Sequence, residues 1–146
     1  MVNDQLTPDE ETAGLRALAA ERLGAQQHSI RTVPAEQVEM LLRASDAFVL
    51  ASLYEGLPRG LIEASALGLP CLTHAYPVPQ FALGPFGYHA DLINRGALHA
   101  LLLTLSESDY GDALAAERHR YAYEHFSWDR LAPRYVELLD EVAGKL

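Results

Sequence analysis

The stretch from Asp46 to Pro70 constrains the fold more than any other. An apolar run, Ala47-Phe48-Val49-Leu50-Ala51, gives way to a polar loop. A helical segment, Pro58–Leu67, follows and stops at Gly68, and Pro70 leads into a second short apolar run, Cys71-Leu72-Thr73. The first run shows no alternation with polar residues, as expected of a strand buried in a parallel sheet. Proline suits the opening of a helix, where its missing N–H has no partner to lose, and glycine suits the close. Strand, loop, helix, strand is a parallel crossover unit. It predicts an α/β protein whose ligands gather at the carboxyl edge of the sheet.

The rest of the chain repeats this pattern. Thr7-Pro8-Asp9-Glu10 reads as a capping box with proline at the first helical position. Leu15, Leu18, Arg22 and Leu23 then recur at helical spacing up to Gly24. Ser29–Val33 reads as a short strand closed by Pro34. Ala35–Ser45 reads as a helix with Val38, Leu41 and Leu42 on its inner face. Between Ala75 and Gly87 the residues Pro77, Pro79, Gly84, Pro85 and Gly87 predict a punctuated loop, with at most one helical turn near Phe81. Gly87–Leu92 is the last expected strand. Three helical segments follow, Gly96–Ser106, Ser108–Phe126 and Ser127–Leu146, with a kink or a restart expected at Pro133.

The 146 residues, 49% hydrophobic, suit one domain with a core of its own. A net charge of −9 without a Lys/Arg cluster argues against nucleic acid and against anionic lipid as partners. Cys71 is the only cysteine, which excludes an intrachain disulfide and fits a reducing compartment. No basic and apolar leader opens the chain, and no apolar run reaches the roughly 20 residues of a membrane helix, so a soluble cytoplasmic protein is expected. His28, His89, His99, His119 and His125 lack metal-ligand spacing. Cys71 reads as a small buried apolar residue, and Asp46 as structural. Tyr110, Tyr121, Tyr123, Phe126, Trp128 and Tyr135 read as core and interface residues rather than a base-stacking platform.

The candidate site is Glu55-Gly56-Leu57-Pro58-Arg59-Gly60-Leu61-Ile62-Glu63, two carboxylates with seven residues between them. One stands in the loop and the other on the helix. Both can accept hydrogen bonds from ligand hydroxyls, because an ionised carboxylate takes vicinal hydroxyls with charge assistance. Glu63 lies five residues past Pro58, roughly 7.5 Å along the helix axis, so the two acids can hold different parts of one ligand. The helix N-terminus between them favours an anion, through the amides near Leu57, Arg59 and Gly60. His74, at the end of the next strand, is a further candidate for the pocket wall.

The block Arg43–Pro58, continued by Glu63-Ala64-Ser65-Ala66-Leu67-Gly68-Leu69-Pro70, resembles the donor site of the family 4 (group 1) retaining glycosyltransferases. Phe126-Ser127-Trp128, followed by a helix with Tyr135, is similar to that family's C-terminal pattern. The resemblance implies a GT-B enzyme, in which two Rossmann-like domains face a cleft. This chain would be the C-terminal, nucleotide-sugar-binding half-domain without its first strands. Val2-Asn3-Asp4 would match the end of the second strand. Such an enzyme would transfer a hexose from a nucleotide diphosphate sugar to an acceptor hydroxyl. The resemblance assigns Glu55 to the donor sugar as the catalytic-site acid and Glu63 to the ribose. Gly56, Leu57, Pro58, Arg59, Gly60 and His74 complete the donor site, with no metal or other cofactor.

Two departures accompany the resemblance. The family's Arg/Lys pair for the leaving diphosphate has no counterpart here, and the acceptor-binding N-terminal domain is absent. After Thr73 the family's Gly-Gly turn and Glu are replaced by His74-Ala75-Tyr76-Pro77-Val78-Pro79-Gln80-Phe81, with Gln80 at the place of the Glu. The isolated chain is therefore expected to be inactive in transfer. The alternatives are a truncated, non-catalytic module that folds or associates, and a GT-B-like sugar-nucleotide epimerase. An apolar face left uncovered by absent elements would favour self-association.

Overall fold

The computed structural model describes residues 10–24 and 26–144, in two compact units, Met1–Pro34 and Ala35–Leu146. The expected capping box at Thr7 and the strand end at Val2-Asn3-Asp4 lie outside the described residues. In the first unit, helix α1 (Glu10–Leu23) closes on Gly24, whose φ of 76° and N–H bond to the Ala20 carbonyl form a helix stop. Its Leu15, Leu18 and Leu23 are exposed. Residues 28–34 form no strand, contrary to expectation. A strand exists only by pairing, and among the described residues none exchanges ladder hydrogen bonds with this segment.

The second unit is a parallel sheet flanked by helices, the expected α/β class. Its elements are α2 (Ala35–Arg43), β1 (Phe48–Leu50), α3 (Arg59–Ala66), β2 (Cys71–His74), α4 (Pro77–Leu83), β3 (Gly87–Ala90), α5 (Ala97–Leu102), α6 (Asp112–Phe126) and α7 (Trp128–Ala143). The strand order is β1-β2-β3, all parallel, with Phe48 opposite Cys71 and Leu72 opposite Tyr88. The central strand β2 is buried along its whole length, which is why Cys71-Leu72-Thr73 carries no charge. Leu42, Leu61, Ala64, Cys71, Ala82 and Leu83 form the core, with Val38, Phe48, Leu50 and Phe126 packed against it. Helices α3, α4 and α6 pack on one another, and α5 packs on β2 and β3.

Three local expectations are corrected. The segment after β2 is not an open loop: Pro77–Leu83 is a helix running into a 3-10 turn at Gly84–Phe86. Both Pro77 and Pro79 fall in its first turn, where a missing N–H breaks no intrahelical bond. Second, α7 runs unbroken through Pro133, with no restart. Pro133 and Asp129 are both exposed, so the Asp129 carbonyl, which loses its donor to the proline, can turn to water. Third, Tyr110, Tyr123, Trp128 and Tyr135 are 42–67% exposed, so they are not core residues. Phe126 does pack against the core, and Tyr121 is half-buried, donating its hydroxyl to the Phe81 carbonyl.

Behind β2 and β3, buried Arg118 of α6 gathers three elements. It donates to the carbonyls of Gly68 (3.1 Å) and Asp109 (2.6 Å) and reaches the Tyr88 hydroxyl at 3.5 Å and the Asp109 carboxylate at 3.7 Å. Asp109 in turn accepts hydrogen bonds from the Tyr88 hydroxyl and from the Ser106 N–H and hydroxyl. Those hydrogen bonds, Tyr88 foremost, hold its carboxyl below the usual range, with Arg118 adding to the effect and burial opposing it. One residue on, His119 Nδ1 bonds the Ala66 carbonyl at 2.6 Å, so α6 satisfies the end of α3.

Two outcomes follow from this packing. Gly68 has φ of 83°, and a Cβ there would stand 2.8 Å from the Ala115 Cβ. Gly68→Ala combines a left-handed strain of about 1–2 kcal/mol with an overpacking cost of about 1–3 kcal/mol, and chemical denaturation will show a loss of roughly that sum. Asp109, depressed in the folded state, contributes stability above its unfolded pKa of about 3.9 that is lost as pH falls through the folded value. Asp109→Asn will lower Tm at neutral pH, and its deficit against the parent chain will narrow below about pH 4.

Candidate functional site

The chain leaves the sheet at its carboxyl edge three times, after Leu50, after His74 and after Ala90. Residues 51–58 cross this edge without regular structure before α3 begins. Glu55 and Gly56 are exposed at its tip, beside Tyr54, the most exposed large aromatic at 84%. A Cβ at Gly56 would meet nothing within 4 Å, and one at Gly60 would stand an ordinary 3.6 Å from Phe48. Neither glycine is demanded by the chain's own packing, so the backbone there is open to a ligand.

Pro58 is the N-cap of α3, with φ −73° and ψ 108°, and no side chain caps the helix. Its carbonyl accepts from the Leu61 and Ile62 N–H groups, leaving the amides of Arg59 and Gly60 ahead of the first intrahelical bonds. The first turn carries no acidic residue and has Arg59, exposed, at its opening. This is a positively polarised terminus without an internal anion.

Glu63 stands one turn into α3 and is exposed. It borders a cleft of about 380 Å³ with Val38 and Leu42 of α2, and another of about 310 Å³ with Leu57, Arg59, Ile62, Phe126 and Leu131. The acid on the helix thus faces ready concavities, whereas the acid in the loop stands on an exposed tip.

His74 is buried at the end of β2 and is tied to the next loop. Its Nδ1 accepts the Leu92 N–H at 3.1 Å and lies 3.6 Å from the Asp91 carboxylate. With Nδ1 accepting, the neutral ring carries its proton on Nε2. The Tyr76 ring lies 6.0 Å from His74 on one side and 5.8 Å from Tyr54 on the other. The buried Tyr76 hydroxyl makes no hydrogen bond of standard geometry. Burial pushes its pKa up, the adjoining Glu55 main chain pulls it back, and the Glu55 carboxylate adds to the rise.

The structure therefore places the expected site residues in two groups at one edge. Glu55 and His74 are linked through Tyr54 and Tyr76. Glu63 shares its cleft with Leu57 and Arg59, and Pro58 and Gly60 form the helix start between the groups. Tyr54 and Tyr76 were missed by sequence reasoning. The available signal was position alone, since residues just past strand ends build ligand walls in parallel sheets.

Cys71 behaves as a buried apolar residue. It is 1% exposed, its thiol lies 3.4 Å from the Leu69 carbonyl, and burial pushes its pKa up to about 12, with Arg118 opposing. Among the described residues no three His, Cys, Asp or Glu side chains are grouped to hold a metal ion. No helix among them is long and apolar enough to cross a membrane.

A family model described as glycosyl transferases group 1 matches residues 9–125. EpsF of Bacillus subtilis (strain 168), whose name assigns it to the glycosyltransferases, is 57% identical over 37 residues, 25% of this chain and 10% of EpsF. The Escherichia coli UDP-Gal:alpha-D-GlcNAc-diphosphoundecaprenol alpha-1,3-galactosyltransferase is 56% identical over 33 residues, 23% of this chain and 8% of that protein. The O-antigen chain mannosyltransferase B of Escherichia coli is 28% identical over 105 residues, 71% of this chain and 27% of the relative. The chain spans about a quarter or less of the length of these relatives. No solved structure matches it.

The burial of Cys71 has a direct readout. At pH 8 a thiol-specific reagent will label it at the rate of global unfolding rather than at the rate of a free thiol, and denaturant will abolish the protection.

Proposed function

The chain belongs to the group 1 glycosyl transferases, and we propose that it is the donor-binding part of a retaining enzyme of this family. The observation that carries the reading is the start of α3. It is uncapped, free of acid in its first turn and preceded by an open loop, with Glu55 before it and Glu63 one turn inside. The diphosphate of a nucleotide sugar belongs over that N-terminus, where the amides of Arg59 and Gly60 and the helix dipole favour negative charge. Glu63 accepts the ribose hydroxyls and Glu55 those of the sugar, each with charge-assisted hydrogen bonds. His74 lies on the sugar side, with Nε2–H available as a donor.

Transfer in this reading has no covalent enzyme intermediate. Glu55 orients the hexose while the bond to the diphosphate breaks and the sugar becomes oxocarbenium-like; the acceptor hydroxyl oxygen forms the new glycosidic bond and its proton passes to the departing diphosphate. The α3 terminus stabilises the negative charge gathering on the leaving group. The printed names of two relatives, a galactosyltransferase and a mannosyltransferase, support a hexose as the transferred group. The acceptor and further cations for the diphosphate come from elsewhere, since Arg59 is the sole Lys or Arg between Asp46 and Asp91. The 146-residue chain by itself is therefore a binding half-site that does not transfer.

Calorimetry on the chain with nucleoside diphosphates and nucleotide sugars tests this. The parent chain will bind both saturably. Losing charged hydrogen bonds worth about 1.5–3 kcal/mol, Glu63→Ala will weaken both ligands about 10-fold or more, because both carry the ribose. Glu55→Ala will weaken the nucleotide sugar and leave the nucleoside diphosphate unchanged. Equal affinity in all three proteins overturns the assignment of the two acids. No binding by the folded parent chain favours a non-catalytic remnant of the family.

A further inference from the structure

Three aromatic rings stand at the carboxyl edge, and none belongs to the hydrophobic core. Tyr54 lies past β1, His74 ends β2, and Tyr76 lies just beyond it. Tyr54 is 84% exposed, more than any other large apolar or aromatic side chain among the described residues. One side of its ring is engaged all the same, since the Tyr76 ring lies 5.8 Å away at 56°. Tyr76 in turn lies 6.0 Å from the His74 ring. Its hydroxyl is buried, and both the main chain and the carboxylate of Glu55 act on it. The inner members of the row are firmly held. The Ala75 N–H bonds the Ala90 carbonyl at 2.9 Å, the Leu92 N–H bonds His74, and Tyr76 is the N-cap of α4 ahead of Pro77. Tyr54, in contrast, belongs to the irregular segment 51–58. A side chain on a rigid element therefore braces a loop residue whose ring is otherwise open to water.

We propose that Tyr54 is a stacking platform for the hexose of the donor and that Tyr76 is the positioning residue that holds this platform beside Glu55. The inference rests on the donor-site reading and deepens it. A pyranose carries hydroxyls around its edge and C–H bonds across its faces. A site that holds one needs polar groups at the rim and an apolar plate against a face. Glu55 and the His74 Nε2–H supply the rim, and Tyr54 supplies the plate. The other parts of a nucleotide sugar do not fit this place. The π face of a tyrosine is negative and repels phosphate oxygens. The nucleoside lies on the far side of the diphosphate, with its ribose at Glu63. Tyr54 directly precedes Glu55, so the group held by this acid is the group the ring meets. Covering the ring also removes apolar area from water on both partners, a gain that an already packed ring cannot give.

Calorimetry on the 146-residue chain tests the platform. The probes are nucleotide hexoses with uridine, guanosine and adenosine bases, each measured against its free nucleoside diphosphate. Tyr54→Ala will weaken the nucleotide hexose about 5-fold and leave the nucleoside diphosphate unchanged. Tyr54→Phe, which keeps the ring, will bind both as the parent does. Tyr76→Ala will copy the sugar-specific loss, and Tyr76→Phe will recover it. Unchanged affinity for the nucleoside diphosphate shows in the same titration that each variant is folded. Tyr54 is exposed, so its two variants keep the test decisive even if Tyr76→Ala disturbs folding. A Tyr54→Ala chain that binds the nucleotide hexose as tightly as the parent overturns the platform and leaves the donor reading standing. Equal weakening of both ligands overturns it too, because the ring would then serve the nucleotide. A folded Tyr76→Ala chain with parental affinity overturns the positioning role. A folded parent that binds none of the probes overturns the donor reading and this inference together.

Discussion

Arg118 is the contact on which the arrangement of the sheet depends. Its guanidinium is 1% exposed, and taking such a charge out of water costs several kcal/mol unless its donors are met. Two main-chain carbonyls, a phenol and a carboxylate meet most of them. The Nε remains buried without a partner, so part of the desolvation cost stands. What the chain gains is connection. Gly68 lies just before β2, Tyr88 within β3, and Asp109 before α6. One side chain thus fixes the entry to the central strand, its neighbour and the helix behind them. All of this lies toward the amino end of the strands, away from the loops that carry the candidate ligands. The carboxyl edge can be irregular because the opposite end is pinned.

Gly68 shows how a local signal and a tertiary demand coincide. The sequence marks it as a helix stop, and its left-handed φ agrees. Packing adds a second reason invisible to local pattern, since α6 approaches so closely that Ala115 occupies the space of a Cβ. The same division runs through the fold. The apolar run at Phe48–Leu50, the helix after Pro58 and the buried strand at Cys71 were legible because each is specified within a few residues. Ser29–Val33 was misread because strand propensity counts only when a neighbour supplies the ladder. Pro77–Leu83 was misread because two prolines look like breakers until one sees that both sit in a first turn. Arg118 had no local signal at all: an arginine on a polar helix reads as solvated, and only its distance from water identifies it.

The candidate site divides along the same line. Glu55, Glu63 and the helix start between them were legible from spacing and strand context. The row from Tyr54 through Tyr76 to His74 was not, because it joins residues of two different loops through ring contacts. This row gives Glu55 a supported neighbourhood even though the acid itself is exposed. Glu63 has a different kind of support, a regular helix whose Leu61 and Ala64 are wholly buried. One acid is therefore held by the core and the other by a surface loop. A ligand spanning both would find one end of its site preformed and the other adjustable.

Two features stay unresolved within the fold, and they share a physical form. The start of α3 presents uncapped amides beside Arg59 with no acidic residue in its first turn, and α7 presents a row of exposed apolar side chains. In the proposed function the first is met by a diphosphate held between two carboxylates. The two features adjoin, since Leu131 of α7 lines the same cleft as Arg59 and Glu63. Covering α7 therefore bears on the helix side of the proposed donor site.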